Sequence, residues 1–122
     1  MGLRHSTSRS FSYAFQGVKT AFKNEPNLRI HIFFAFSTLI AAAILKFNVF
    51  EWILLMMTIF FVIMLELINS VLEALVNIVS PEFNKEAKVA KDVAAAAVLL
   101  AAVMSVVVGI LLFGPKLLKI IS

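Results

Sequence analysis

The sequence predicts an all-α membrane protein in a single domain, with one amphipathic surface helix followed by three membrane-spanning helices. Three observations carry this. Of 122 residues, 61% are hydrophobic and the mean hydropathy is +0.99, whereas an ordinary soluble domain is roughly half apolar. Three stretches approach the ~20 apolar residues needed to cross a hydrocarbon core. The segment before them repeats its aromatic residues at helical spacing and keeps its basic residues on another face.

That first segment occupies the region 1–27. Phe11, Phe15, Val18 and Phe22 recur at intervals of four, three and four residues, while Ser12, Gln16, Lys19 and Lys23 fill a second face. A helix that is aromatic on one side and basic on the other suits the plane of a membrane surface. Asn24-Glu25-Pro26-Asn27 breaks it and turns the chain into the bilayer. The first 27 residues contain no apolar h-region, so a cleavable signal peptide is not expected.

The three membrane helices are expected at about 28–45, 50–78 and 90–114. The first opens with Arg29 and His31, the second carries Trp52 where an interface aromatic belongs, and 93–114 contains no charged residue. Pro81 and Pro115 are expected to mark helix stops. Orientation follows from Lys and Arg in the flanking segments. The N-terminal arm up to Arg29 holds Arg4, Arg9, Lys19, Lys23 and Arg29, and the connection leading to the charge-free stretch 93–114 holds Lys85, Lys88 and Lys91; Lys46, Lys116 and Lys119 lie opposite. Eight against three places the N-terminus in the cytoplasm and the C-terminus outside.

Composition also narrows function. The absence of cysteine excludes disulfide and thiolate chemistry. The net charge of +4 favours contact with anionic headgroups or phosphates. A nucleic-acid role has no soluble module to carry it.

The second span holds the most informative pattern. Glu66, Asn69, Glu73 and Asn77 follow an uninterrupted apolar run, 52–65. Their spacings of three, four and four put all four on one helix face at about 100° per residue. Ionisable groups at membrane depth are costly and normally mark a functional interior. At ~1.5 Å per residue, Glu66 falls ~24 Å below the outer start of its span, near the inner edge of a ~30 Å core. The same topology brings Glu25, Lys91 and Asp92 to that interface.

Oxygen-only ligands suit a hard cation such as Mg²⁺, commonly held by one or two carboxylates and substrate phosphates. A further carboxylate at the lipid edge suits proton abstraction from a hydroxyl, and a lysine suits phosphate neutralisation. Phosphoryl transfer to a membrane alcohol uses each part. No Walker-type loop or protein-kinase signature is present. A rival reading makes Glu66 the carrier of a small ion or proton transporter subunit; it calls for a second polar span, and the sequence has one. A packing subunit without catalysis leaves the stripe unexplained. Met56, Met57, Met64 and Met104 read as apolar packing, and His31 as an interfacial hydrogen-bonding residue rather than a metal ligand.

Glu66-Leu67-Ile68-Asn69-Ser70-Val71-Leu72-Glu73 resembles the E-x-x-N-(S/T)-x-x-E signature of the prokaryotic diacylglycerol kinase family. Ala90-Lys91-Asp92 and the alanine run after it resemble the family's second signature at the matching separation, and Asn24-Glu25 fits its acidic position after the surface helix. The resemblance spans roughly 11–113. It implies a homotrimeric integral kinase of the bacterial cytoplasmic membrane. The donor would be ATP with Mg²⁺, and the acceptor a lipid alcohol, undecaprenol or diacylglycerol.

The resemblance also implies residue roles. Glu66 is the proton acceptor, Asn69 supports the site, and Glu25 and Glu73 hold the metal-bound nucleotide. Lys91 and Asp92 contact or order phosphates. Tyr13 matches a nucleotide-contacting tyrosine, and Glu82-Phe83-Asn84 matches a Glu-Tyr-His segment near the nucleotide. Two departures stand out: Asn84 replaces a histidine and Asn77 an aspartate. Leu28-Arg29-Ile30-His31 resembles the Gram-positive branch, whose members often phosphorylate undecaprenol, and this favours a polyprenol acceptor.

Overall fold

The computed structural model describes residues 6–122; Arg4, counted above in the N-terminal arm, lies outside them. Four helices follow in order: α1 (Thr7–Asn24), α2 (Pro26–Ile44), α3 (Val49–Val79) and α4 (Lys85–Ile121). The last three are long and apolar enough to cross a membrane. The chain is thus an all-helical, multi-pass membrane protein with a leading amphipathic helix, as its patterning predicts.

Local chemistry sets the helix ends. Ser6 Oγ accepts from Arg9 N at 3.3 Å and starts α1. Glu25 alone separates α1 from α2, and Pro26 opens α2, where a missing N–H and a fixed φ cost nothing. Arg29 then reaches back across the corner. Its Nη1 donates to the carbonyls of Phe22 and Lys23 at 3.0 and 2.8 Å, satisfying acceptors that the end of α1 leaves open. The surface helix is therefore tied to the first span at the position of Glu25.

At the other end, Lys46 sits at φ 56°. Phe47 N donates to Ala42 O and Lys46 N to Ala43 O, the paired bonds of a Schellman stop. Phe47 folds onto Ala42, Leu55 and Leu112, with Trp52 and Phe113 against the cluster. Asn48 and Glu51 form a capping box at the start of α3.

Two boundaries differ from the sequence reading. α4 begins at Lys85 rather than near 90, because Asn84 Oδ1 accepts from Glu86 N and Ala87 N and caps the helix there. Hydropathy marks the apolar part of a helix, and the polar first turns of α4 lie outside that part. Pro115 does not end α4 but lies within it. Proline removes one intrahelical bond, which membrane helices tolerate when neighbours hold the segment. Here Lys116 Nζ lies 3.1 Å from Glu51 Oε1 and 5.4 Å above the Phe47 ring, anchoring the last turns to α3 and the α2–α3 turn.

α3 packs most extensively on α4, α2 lies against α3, and α1 touches both α2 and α3. Few side chains are buried in this arrangement. Phe33, Phe60 and Leu99 are typical of the exposed apolar residues that cover the outer faces.

Candidate functional site

The polar stripe of α3 faces its neighbours. Glu66 is the buried charged residue of the described chain, at 3% exposure. His31, near the start of α2, places Nε2 3.1 Å from Glu66 Oε1. This is within ion-pair reach but off the line of a well-aligned N–H···O bond, so Oε1 has no aligned donor among the described residues.

One turn along, Asn69 Nδ2 donates to Glu73 Oε1 at 3.2 Å. The Asn69 Oδ1 atom is buried without a donor among the described residues. Further on, Lys91 Nζ donates to Asn77 Oδ1 at 2.6 Å and joins α4 to α3. Asp92, one residue later, is rotated about 100° away. It is exposed and pairs with Lys88 at 2.6 Å, the i,i+4 partner on its own helix.

The His31–Glu66 contact marks the register of α2 against α3. From it, Glu25 lies six residues back along the α1–α2 corner and α2, and Glu73 seven residues on along α3. At ~1.5 Å per residue they stand ~9 Å and ~10.5 Å to the same side of the contact. The two carboxylates therefore share one end of the bundle with Asn77, Lys91 and the α3–α4 connection, and both are half-buried. No three His, Asp or Glu side chains converge on a metal position among the described residues. Hard oxygen donors are nonetheless present in Glu25 and Glu73, and a cation bound mainly through phosphates needs only one or two carboxylates.

Of the remaining sequence-selected residues, Glu82 and Asn84 lie in the α3–α4 connection at this end. Tyr13 is on α1 and about half exposed. Glu82 lies in the α3–α4 connection, where its backbone carbonyl accepts from Ser80 Oγ. The Asn84 side-chain oxygen is committed to the α4 cap. Two partnerships were missed from sequence, His31 with Glu66 and Asn77 with Lys91. Both depend on interhelical register, which spacing within one helix does not reveal; the i,i+4 spacing of Lys88 and Asp92, by contrast, was there to be read.

Above Glu66 an apolar groove of about 400 Å³ runs between α2, α3 and α4, from His31 towards Phe113. Its hydroxyls are turned back on their own helices. Thr38 donates to Ala35 O, Thr58 to Leu54 O and Ser105 to Ala102 O. The walls are accordingly hydrocarbon-like, and His31, the neighbour of Glu66, lines one end. A carboxylate beside such a groove can take a proton from the hydroxyl of an otherwise apolar molecule.

Comparison with known proteins bears on the same residues. Residues 12–113 match the prokaryotic diacylglycerol kinase family model. The chain is 42% identical over 112 residues to a diacylglycerol kinase of Synechocystis sp., covering 91% of this chain and 64% of that protein. It is 34% identical over 109 residues to an undecaprenol kinase of Bacillus subtilis, covering 89% of each. It is 35% identical over 92 residues to a diacylglycerol kinase of Helicobacter pylori, covering 75% of this chain and 72% of that protein. This chain thus spans slightly under two thirds of the Synechocystis relative. The matched region contains Tyr13, Glu25 and every residue of the α3 and α4 polar cluster, and on that extent of similarity the chain belongs to the prokaryotic diacylglycerol kinase family.

Proposed function

We propose that this protein transfers the γ-phosphoryl group of Mg-ATP to the hydroxyl of a membrane lipid alcohol, undecaprenol or diacylglycerol. The observation that carries the proposal is the buried Glu66 carboxylate, whose Oε1 lacks an aligned donor, beside a groove without available hydroxyls. A buried acceptor left without a donor costs about 1–3 kcal/mol. An incoming lipid hydroxyl relieves that cost, while the groove takes the adjoining hydrocarbon.

Glu66 accepts the hydroxyl proton as the lipid oxygen attacks the γ-phosphorus. The bond from the γ-phosphorus to the β–γ bridging oxygen breaks, and ADP leaves. Asn69 orients Glu73 through their hydrogen bond. Glu25 and Glu73 would hold Mg²⁺, which supplies charge neutralisation on the nucleotide phosphates. Lys91 is steered towards the same end by a neutral partner, Asn77, so its charge remains available to phosphate. Asp92 orders this part of α4 through Lys88. Tyr13, Glu82 and the loop amides around Asn84 would complete the nucleotide contacts. Transfer takes place at the cytoplasmic interface, with the N-terminus inside and the C-terminus outside, in a bacterial cytoplasmic membrane.

The active form is a homotrimer with sites shared between neighbours. Three spans bury few side chains, and the alanines Ala94–Ala97, Ala101 and Ala102 allow close helix approach. Mixing Glu66→Gln chains with Glu73→Gln chains is expected to restore activity that neither has alone. No rescue in verified mixed oligomers would argue against a shared site.

The reaction itself is tested with γ-labelled ATP and Mg²⁺ in mixed micelles, offering undecaprenol and diacylglycerol separately. Labelled lipid is the expected product, and the faster acceptor names the substrate. The family resemblance at 28–31 favours undecaprenol, and relatives of both names are similar to this chain. Well-folded protein that labels neither lipid would contradict the proposal.

A further inference from the structure

His31 stands against the central carboxylate of the site, yet the mechanism above gives it no part. Its Nε2 atom is 3.1 Å from Glu66 Oε1, and its side chain is 24% exposed against 4% for Glu66. The same ring lines the end of the apolar groove. A carboxylate this deeply buried needs a compensating neighbour. The nearby polar groups on α3 are engaged elsewhere. Ser70 Oγ donates to the Glu66 backbone carbonyl, and the Asn69 amide donates to Glu73. His31, from a different helix, is the side chain that reaches Glu66.

We propose that His31 is the positioning residue of Glu66: from α2 it holds the carboxylate at the end of the groove, where a lipid hydroxyl arrives. The proposal rests on the lipid-kinase reading. A glutamate has three side-chain torsions, and α3 alone leaves them unrestrained at the carboxylate. A contact from a second helix restrains them and couples the groove wall to the base. Misplacement of a reacting group by about 1 Å can cost on the order of 10²-fold in rate.

The test compares His31→Phe, which keeps an aromatic ring and removes the polar nitrogen 3.1 Å from Oε1, with His31→Gln, which keeps a polar group of similar reach. Both are measured as full-length protein in the same micelles, with thermal unfolding as the check on folding. His31→Phe is expected to lose roughly 10–100-fold in kcat with KM for ATP held within about twofold. His31→Gln is expected to recover to within about tenfold of wild type. A folded His31→Phe with wild-type kcat overturns the assignment, as does a proportional rise in KM for ATP. If His31→Phe does not fold, His31→Gln decides alone. Activity within about tenfold of wild type supports the role, and a larger loss in folded protein overturns it. Wild-type protein that labels no lipid would instead overturn the kinase reading, so the two failures are distinct.

Discussion

Replacing Glu66 with Gln is expected to lower lipid phosphorylation by roughly 10²–10⁴-fold, the contribution of a general base, while Mg-ATP binding is retained. The substitution keeps shape and removes only basicity. Glu66 is 3% exposed and faces His31. Glutamine fits the same space and still offers an oxygen to the ring. Exchange of a buried charge for a neutral isostere leaves the helix packing in place, so loss of turnover in folded protein reports on chemistry. The check pairs initial rates of lipid labelling with equilibrium ATP binding on the same preparation. Unimpaired turnover would remove Glu66 from the base role; lost ATP binding would move it to the nucleotide site.

The opposite pattern is expected for Glu73→Gln. Glu73 lies about two turns beyond Glu66 and is held by the Asn69 amide at 3.2 Å. Glutamine preserves that acceptor oxygen but removes the negative charge with which Glu73 is proposed to hold Mg²⁺. Loss of even an outer-shell partner commonly weakens metal binding by roughly 10–100-fold. Mg-ATP affinity in Glu73→Gln should fall by at least that range, with partial recovery at raised Mg²⁺. Titration of ATP binding against Mg²⁺ measures both, and an unchanged affinity would contradict the assignment. Together the variants would separate the two roles proposed for one helix face, proton transfer near the groove and nucleotide binding towards the helix end.

Much of this arrangement was legible in the residues themselves. The period of Phe11, Phe15, Val18 and Phe22 specifies α1, and the break read at 24–27 locates the α1–α2 corner, which the structure narrows to Glu25, with α2 starting at Pro26 rather than near 28. Glu66, Asn69 and Glu73 declare a common face because a helix has a fixed angular step. The boundaries of α4 were less legible for two reasons. Asn84 acts through a cap, which polarity alone does not distinguish from a loop contact. Pro115 looks like a stop, yet Lys116, Glu51 and Phe47 hold the chain helical beyond it. The partner of Glu66 was out of reach for a different reason. His31 meets it only after α2 and α3 have been set antiparallel in one register, and that register is settled by distant packing around Phe47 and Leu55. Asn77 shows the same limit. In the sequence it stands only as a replacement of the family's aspartate, whereas the structure makes it the hydrogen-bond acceptor of Lys91.

Phosphoryl transfer to lipid and ion transport make opposite demands on the polar end of α3. The most direct measurement reconstitutes the wild-type chain in vesicles containing a lipid alcohol, adds Mg-ATP, and follows ADP, labelled lipid and proton flux together. ADP and phosphorylated lipid appearing one for one, only when the alcohol is present and with no change in proton permeability, is the predicted result. A Glu66-dependent proton flux without labelled lipid would contradict the account and assign the buried carboxylate to transport.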